Sequence, residues 1–196
     1  MTSLTRRTIF ARSKVMSTAP RGSILFRYVP GVGRVAAVEC GTGSGLTSTC
    51  ATAFSTADQP LVAGTAANVA HDSVPFSYGI TVVTGASGYF QVPTTGVYKI
   101  IPSLQILGGG NGKVTIWIKV NGANVPDSAT LTLFKNGEES VITCEYLLEL
   151  TANDQVQVWA ITAAANGSVE YHPSGGSGAD AYPAAPGVIT NMYRIR

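Results

Sequence analysis

Residues 113–120 read Lys-Val-Thr-Ile-Trp-Ile-Lys-Val, and residues 155–162 read Gln-Val-Gln-Val-Trp-Ala-Ile-Thr. In the first stretch Val114, Ile116, Ile118 and Val120 fall on one side, with Thr115, Trp117 and Lys119 on the other. In the second, Val156, Val158 and Ala160 alternate with Gln155, Gln157 and Trp159. A period of two is the pattern of a β-strand with one face turned to a core. Asn121-Gly122 follows the first stretch directly and suits a two-residue hairpin, because both positions tolerate a left-handed backbone.

Outward from these two stretches the pattern repeats. Residues 76–83, 88–92, 96–106, 129–134, 140–150 and 188–195 also read as strands. Turn residues separate them at Gly85-Ala86-Ser87, 108–112, Asn136-Gly137 and Asn153-Asp154. Nothing beyond residue 60 has the three-to-four spacing of an amphipathic helix. Regularly spaced strands with turn signals predict an all-β sandwich or jelly roll. Upstream, 23–29 and 34–39 are short β-like runs on either side of Pro30-Gly31-Val32-Gly33. Residues 41–55 look like a Gly/Ser/Thr loop, with at most one helical turn over 51–57. Residues 166–187 read as a Gly/Pro/Ala loop. The expected division is a basic arm at 1–22, accessory strands and loops at 23–74, and the jelly roll at 75–196.

Composition narrows the function. Charged residues are 12% of the 196-residue chain, against a usual ~25%. Low charge with many small and β-branched residues suits a β protein whose surface is largely covered, and in one domain the cover is a partner or a second copy. The net charge of +2 is unevenly spread. Residues 1–40 carry Arg6, Arg7, Arg12, Lys14, Arg21, Arg27 and Arg34 against Glu39, a balance of +6, which leaves −4 for the rest. A basic arm on an acidic body points to something negative. Arg6, Arg7, Arg12, Lys14 and Arg21 are the expected partner-binding residues, facing acidic protein surfaces or packaged nucleic acid; a solvated terminus is the plainer alternative. No run of about 20 apolar residues is present, so no membrane span is expected. Thr8-Ile9-Phe10-Ala11 is cut short by Arg12 and makes no secretory signal, although the acid-free, Arg/Ser/Thr-rich start also resembles a presequence.

Chemistry-bearing candidates are few. Residues 34–45, RVAAVECGTGSG, place Gly41, Gly43 and Gly45 after a strand, as in nucleotide-binding loops. That use needs a helix behind the loop and a parallel sheet around it, and Leu46–Cys50 is Ser/Thr-rich and weakly helical, so no cofactor is expected. His71 and His172 are the only histidines, and solvent-exposed loop positions are expected for both, without a metal. Glu138-Glu139 beside Asn136-Gly137 reads as a solvated turn, and Asp154 as a turn-shaping residue. No Gly-x-Ser-x-Gly elbow occurs. No catalytic residue is assigned and no enzyme is expected. Cys40, Cys50 and Cys144 are an odd set without metal-ligand spacing; buried free thiols are expected, with Cys40–Cys50 pairing as the alternative. Trp117 and Trp159 share the face opposite their strands' aliphatic residues. An intersubunit contact is the preferred role, set against burial of both faces within one subunit.

The order of motifs then carries a resemblance. Tyr89-Phe90-x-Val92-Pro93 leads into Gly96-Val97-Tyr98 and Ser103-Leu104-Gln105. Ile116-Trp117-Ile118-Lys119, Asn121-Gly122 and Val125-Pro126-Asp127-Ser128-Ala129 follow. Leu148-x-Leu150, Asp154-x-Val156-x-Val158 and a terminal strand at 188–195 complete the series. Residues 75–196 thus resemble the C1q/tumour-necrosis-factor jelly roll, in the form found in structural proteins of phages and large DNA viruses. The resemblance implies a ten-strand, two-sheet sandwich that oligomerises, as a trimer or a vertex pentamer, and has no catalytic site. No collagen-like repeat precedes the domain, unlike secreted complement-type members. The expected function is a virion structural protein, assembled inside the host cell. A vertex (penton) or minor capsid protein is preferred, contacting copies of itself and neighbouring capsid proteins. The alternative is a trimeric spike or fibre head that binds a host surface through loops such as 108–112 and 173–186.

Overall fold

The computed structural model describes residues 24–29, 33–38, 49–163, 166–177 and 181–196. The arm residues Arg6, Arg7, Arg12, Lys14 and Arg21 lie outside the described residues, as do the Gly41–Gly45 loop and Cys40. The chain divides into two compact units, Met1–Ser44 and Gly45–Arg196. In the first, β1 (Ile24–Val29) and β2 (Gly33–Val38) form an antiparallel hairpin running from Ile24 opposite Val38 to Val29 opposite Gly33.

The second unit is a sandwich of two sheets with antiparallel strand pairing. The eight-stranded sheet contains β3 (Cys50–Ser55), β4 (Gln59–Leu61), β6 (Ser73–Tyr78), β9 (Gly96–Leu107), β13 (Glu139–Thr143), β14 (Tyr146–Leu150), β16 (Gly167–Val169) and β17 (Val188–Arg194). The seven-stranded sheet contains β5 (Ala67–Asn68), β7 (Thr81–Val83), β8 (Tyr89–Gln91), β10 (Gly112–Val120), β11 (Ala123–Asn124), β12 (Thr130–Phe134) and β15 (Gln155–Thr162). In the eight-stranded sheet the order is β4-β16-β9-β17-β3-β6, and β13 and β14 also pair with β9. The long β9 therefore organises that layer.

Alternation of residue type becomes alternation of environment. Tyr98, Ile100, Leu104 and Ile106 of β9 are buried against the other layer's Ile116, Ile118, Val156 and Val158. Each such side chain contributes roughly 1.5–3 kcal/mol through burial. The β10–β11 hairpin turns on Asn121 (φ 52°) and Gly122 (φ 81°), as expected of Asn-Gly.

Several expectations need correction. The boundary at residue 75 falls inside the sandwich: β3 lies between β17 and β6, and Ala51 and Ala53 are in the core. The helical turn considered for 51–57 is this strand. Its small inward residues, Ala51, Ala53 and Ser55, hide the alternation that Val or Ile would have displayed. Residues 76–83 are two strands in different sheets, broken at Gly79 (φ 78°), where the Ser77 hydroxyl donates to the Ile80 carbonyl. Residues 140–150 are interrupted between β13 and β14 opposite Pro102. Proline has no N–H to donate, although the Cys144 N–H still reaches the Pro102 carbonyl at 3.0 Å. The loop 166–187 contains β16 and a hairpin bridged at His172–Ala185 and Gly175–Tyr182. The two sheets accordingly hold more, shorter strands than the ten implied.

Candidate functional site

Strand register decides which side chains share the outer face of each sheet. On the eight-stranded sheet, Phe76 and Tyr78 of edge strand β6 lie opposite Thr52 and Cys50. Beyond them, Phe54 lies opposite Ile189 and Ile189 opposite Ser103, while Leu147 lies opposite Lys99 and Val141 opposite Gln105. Apart from the buried Cys50, all of these are at least partly exposed. Phe76, Tyr78, Leu147 and Val141 are 50%, 54%, 59% and 61% exposed, with Val74 beside them on β6. Phe76 and Tyr78 stand at the β6 edge, and Leu147 and Val141 stand across β3, β17 and β9 from them on the same face. Lys99 and Glu145 form a 2.6 Å ion pair on the same sheet.

Trp117 and Trp159 lie on the outer face of the seven-stranded sheet as a directly opposed cross-strand pair. Their ring centroids are 6.2 Å apart. The indole N–H of Trp117 donates to Asn124 Oδ1 at 2.9 Å, and that of Trp159 to Gln157 Oε1 at 3.3 Å. Lys119 places its ammonium 3.6 Å from the Trp159 ring centre. Both indoles are partly buried, and their polar atoms are satisfied within the subunit. Leu131 and Leu133 of β12 are exposed on this face.

His71 is not a loop residue in solvent. It is buried 5% exposed between the layers, with Nε2 2.8 Å from Thr190 Oγ1 of β17 and its ring edge-on to Phe90 of β8. Burial lowers its pKa to about 4, partly opposed by the charge of Asp72. For the Asp72 carboxyl, desolvation acts upward but is outweighed by hydrogen bonds from the Thr56 N–H and the Ser73, Thr56 and Ser55 hydroxyls, so its pKa is lowered. Cys50 is disulfide-bonded, which corrects the expectation of free thiols; Cys144 is free and buried.

The second histidine and one expected turn acid meet in a way spacing along the chain did not reveal. Glu139, Glu170 and His172 bring ligand-capable atoms within 4.8 Å of one another. They line a groove of about 310 Å³ beside Gln105 and Leu107. Glu139 was expected to be merely solvated. Its approach to His172, 33 residues on in the chain, depends on β13 and β16 both pairing with the end of β9.

No protein-family model and no curated protein matches the sequence. Solved structures do match. The globular domain of zebrafish complement 1qA protein aligns with a TM-score of 0.50 at 10% identity, covering 76% of this chain and 98% of that one. Eiger TNF from S. frugiperda aligns at 0.51 and 12% identity, covering 77% and 94%. Murine APRIL at pH 5.0 aligns at 0.51 and 10%, covering 76% and 99%. The fold is a C1q/TNF-like jelly roll. At these identities the likeness speaks for the fold alone. Nearly the whole of each neighbour is matched, which accords with a sandwich that includes β3 to β6.

Proposed function

We propose that this chain is a self-associating structural protein whose copies pack through the outer face of the eight-stranded sheet. The observation that carries this reading is the set of half-exposed apolar side chains there, Phe76, Tyr78, Leu147 and Val141, on a body with few charges. A second copy is the favoured occupant because the C1q/TNF-like fold is one whose members commonly associate as trimers. A virion role, as a vertex or minor capsid protein assembled inside the host cell, rests on the sequence resemblance together with the basic arm. Arg6, Arg7, Arg12, Lys14 and Arg21 then contact neighbouring capsid proteins or packaged nucleic acid. No catalytic step is part of this function.

Light scattering on the full chain and on a chain lacking residues 1–22 tests it. Pentamers, or assembly that needs the arm, support the vertex role. An arm-independent trimer shifts the reading to a spike or fibre head. A monomer in both forms removes self-association from the proposal.

A further inference from the structure

We infer that Glu139, Glu170 and His172 form a divalent transition-metal site, best suited to zinc, that clasps the 172–185 hairpin to strand β13. This inference is independent of self-association. The three residues come from separate segments: Glu139 begins β13, Glu170 follows β16, and His172 opens the bridged hairpin. Gln105 of β9 sets their spacing. Its carbonyl accepts the Glu170 N–H at 2.9 Å, its own N–H donates to the Gly187 carbonyl at 2.8 Å, and its side-chain amide donates to the Pro186 carbonyl at 2.7 Å. Both stems of the hairpin are therefore fixed to the strand that also pairs with β13.

The chemistry of the cluster favours a cation. Two carboxylates converge, and among the described residues the ion pairs are Lys99–Glu145 and the long His172–Glu139 approach. Among the described residues neither Glu139 nor Glu170 thus has a lysine or arginine to balance it. His172 Nε2 and Glu139 Oε2 are 3.9 Å apart, too far for a hydrogen bond. Two ligands of one tetrahedral zinc stand about 3.4 Å apart, so a small rotation of partly exposed side chains closes the set. Glu170 Oε1 accepts the Ser168 hydroxyl at 2.9 Å, which orients that carboxylate while leaving its other oxygen for the metal. One imidazole with two carboxylates selects zinc or a similar first-row ion over calcium or magnesium, which prefer all-oxygen shells. Three protein ligands leave a further position toward the groove for water.

Calorimetric titration of tag-free full chain with zinc chloride tests the site, with melting curves taken in zinc and in EDTA. One zinc per chain is expected, with a raised melting temperature. Binding should weaken at least tenfold in Glu170→Gln and His172→Ala, while Cys144→Ser binds as before. Cobalt substitution should give weak visible bands without the intense near-ultraviolet band of a thiolate ligand. Glu139→Gln and Glu170→Gln are near-isosteric, and unchanged melting in EDTA establishes that they fold. Absence of zinc binding, binding that survives both Glu170→Gln and His172→Ala, or a preference for calcium would overturn the assignment.

Discussion

The Trp117–Trp159 pair on one sheet and Phe76, Leu147 and Val141 on the other are all large outward side chains, but their own subunit treats them differently, while Leu131 and Leu133 beside the tryptophans stay exposed. On the seven-stranded sheet the indoles lie tilted against each other across strands and donate to Asn124 and Gln157, and the Trp159 ring lies under Lys119. On the eight-stranded sheet Phe76, Leu147 and Val141 have no polar atom to satisfy and remain more than two-fifths exposed. The size of an aromatic residue is therefore a poor guide to an interface; what matters is whether its own subunit already covers it. Trp117 and Trp159 attract attention in the sequence, yet their surroundings resemble a closed local cluster more than a contact awaiting a partner.

The largest effect should come from the β6 edge of the eight-stranded sheet. Phe76→Ser with Tyr78→Ser should reduce the oligomer to monomer in light scattering and leave the circular dichroism spectrum unchanged, because neither side chain supports the core. Interface aromatics are commonly worth 2 kcal/mol or more when truncated, by order of magnitude about 2–4. Trp117→Ala is the opposing arm of the test and should leave the mass unchanged. Loss of assembly in Trp117→Ala alone would reverse the comparison and restore the tryptophan pair as the interface.

These differences bear on what can be read from the chain. Wherever inward positions hold Val, Ile or Leu, as in β10 and β15, the strand, its facing and its turn are all legible. They fade where inward residues are small, as at Ala51, Ala53 and Ser55, since Ala carries no strand preference. Gly79 and Pro102 break runs that look continuous because one changes the backbone direction and the other withholds a donor. The Glu139, Glu170 and His172 cluster is illegible for another reason. Glu139 and His172 are brought together by shared pairing to β9, and no short motif encodes that.

An intermediate effect should strike both faces equally. His71 joins the inner sides of the layers, touching Thr190 of one and Phe90 of the other. Its folded pKa of about 4 lies below the ordinary histidine value of 6.5. The unfolded chain therefore binds the proton more readily between these values. Stability from the neutral imidazole is complete above pH 6.5 and declines as pH falls toward 4, by about 3 kcal/mol in all. Asp72, its carboxyl pKa lowered, stays ionised in this window and softens the loss only in part. Denaturant melts from pH 7 to 4 should show this slope, flattened in His71→Gln. A slope unchanged by that substitution would place the acid sensitivity elsewhere.

The smallest effect belongs to the tryptophan pair. Lys119→Met keeps the aliphatic stem over the Trp159 ring but removes the cation 3.6 Å from its centre. Exposed cation–π contacts are worth about 0.5–1 kcal/mol, so the urea midpoint should drop slightly with no change in slope. The oligomer mass should be the same as for the unaltered chain, because the contact is internal to one subunit. A change in mass from so small a substitution would mean that a neighbouring copy reads the charge at Lys119, and the two faces would then differ only in how they bind, not in whether they do.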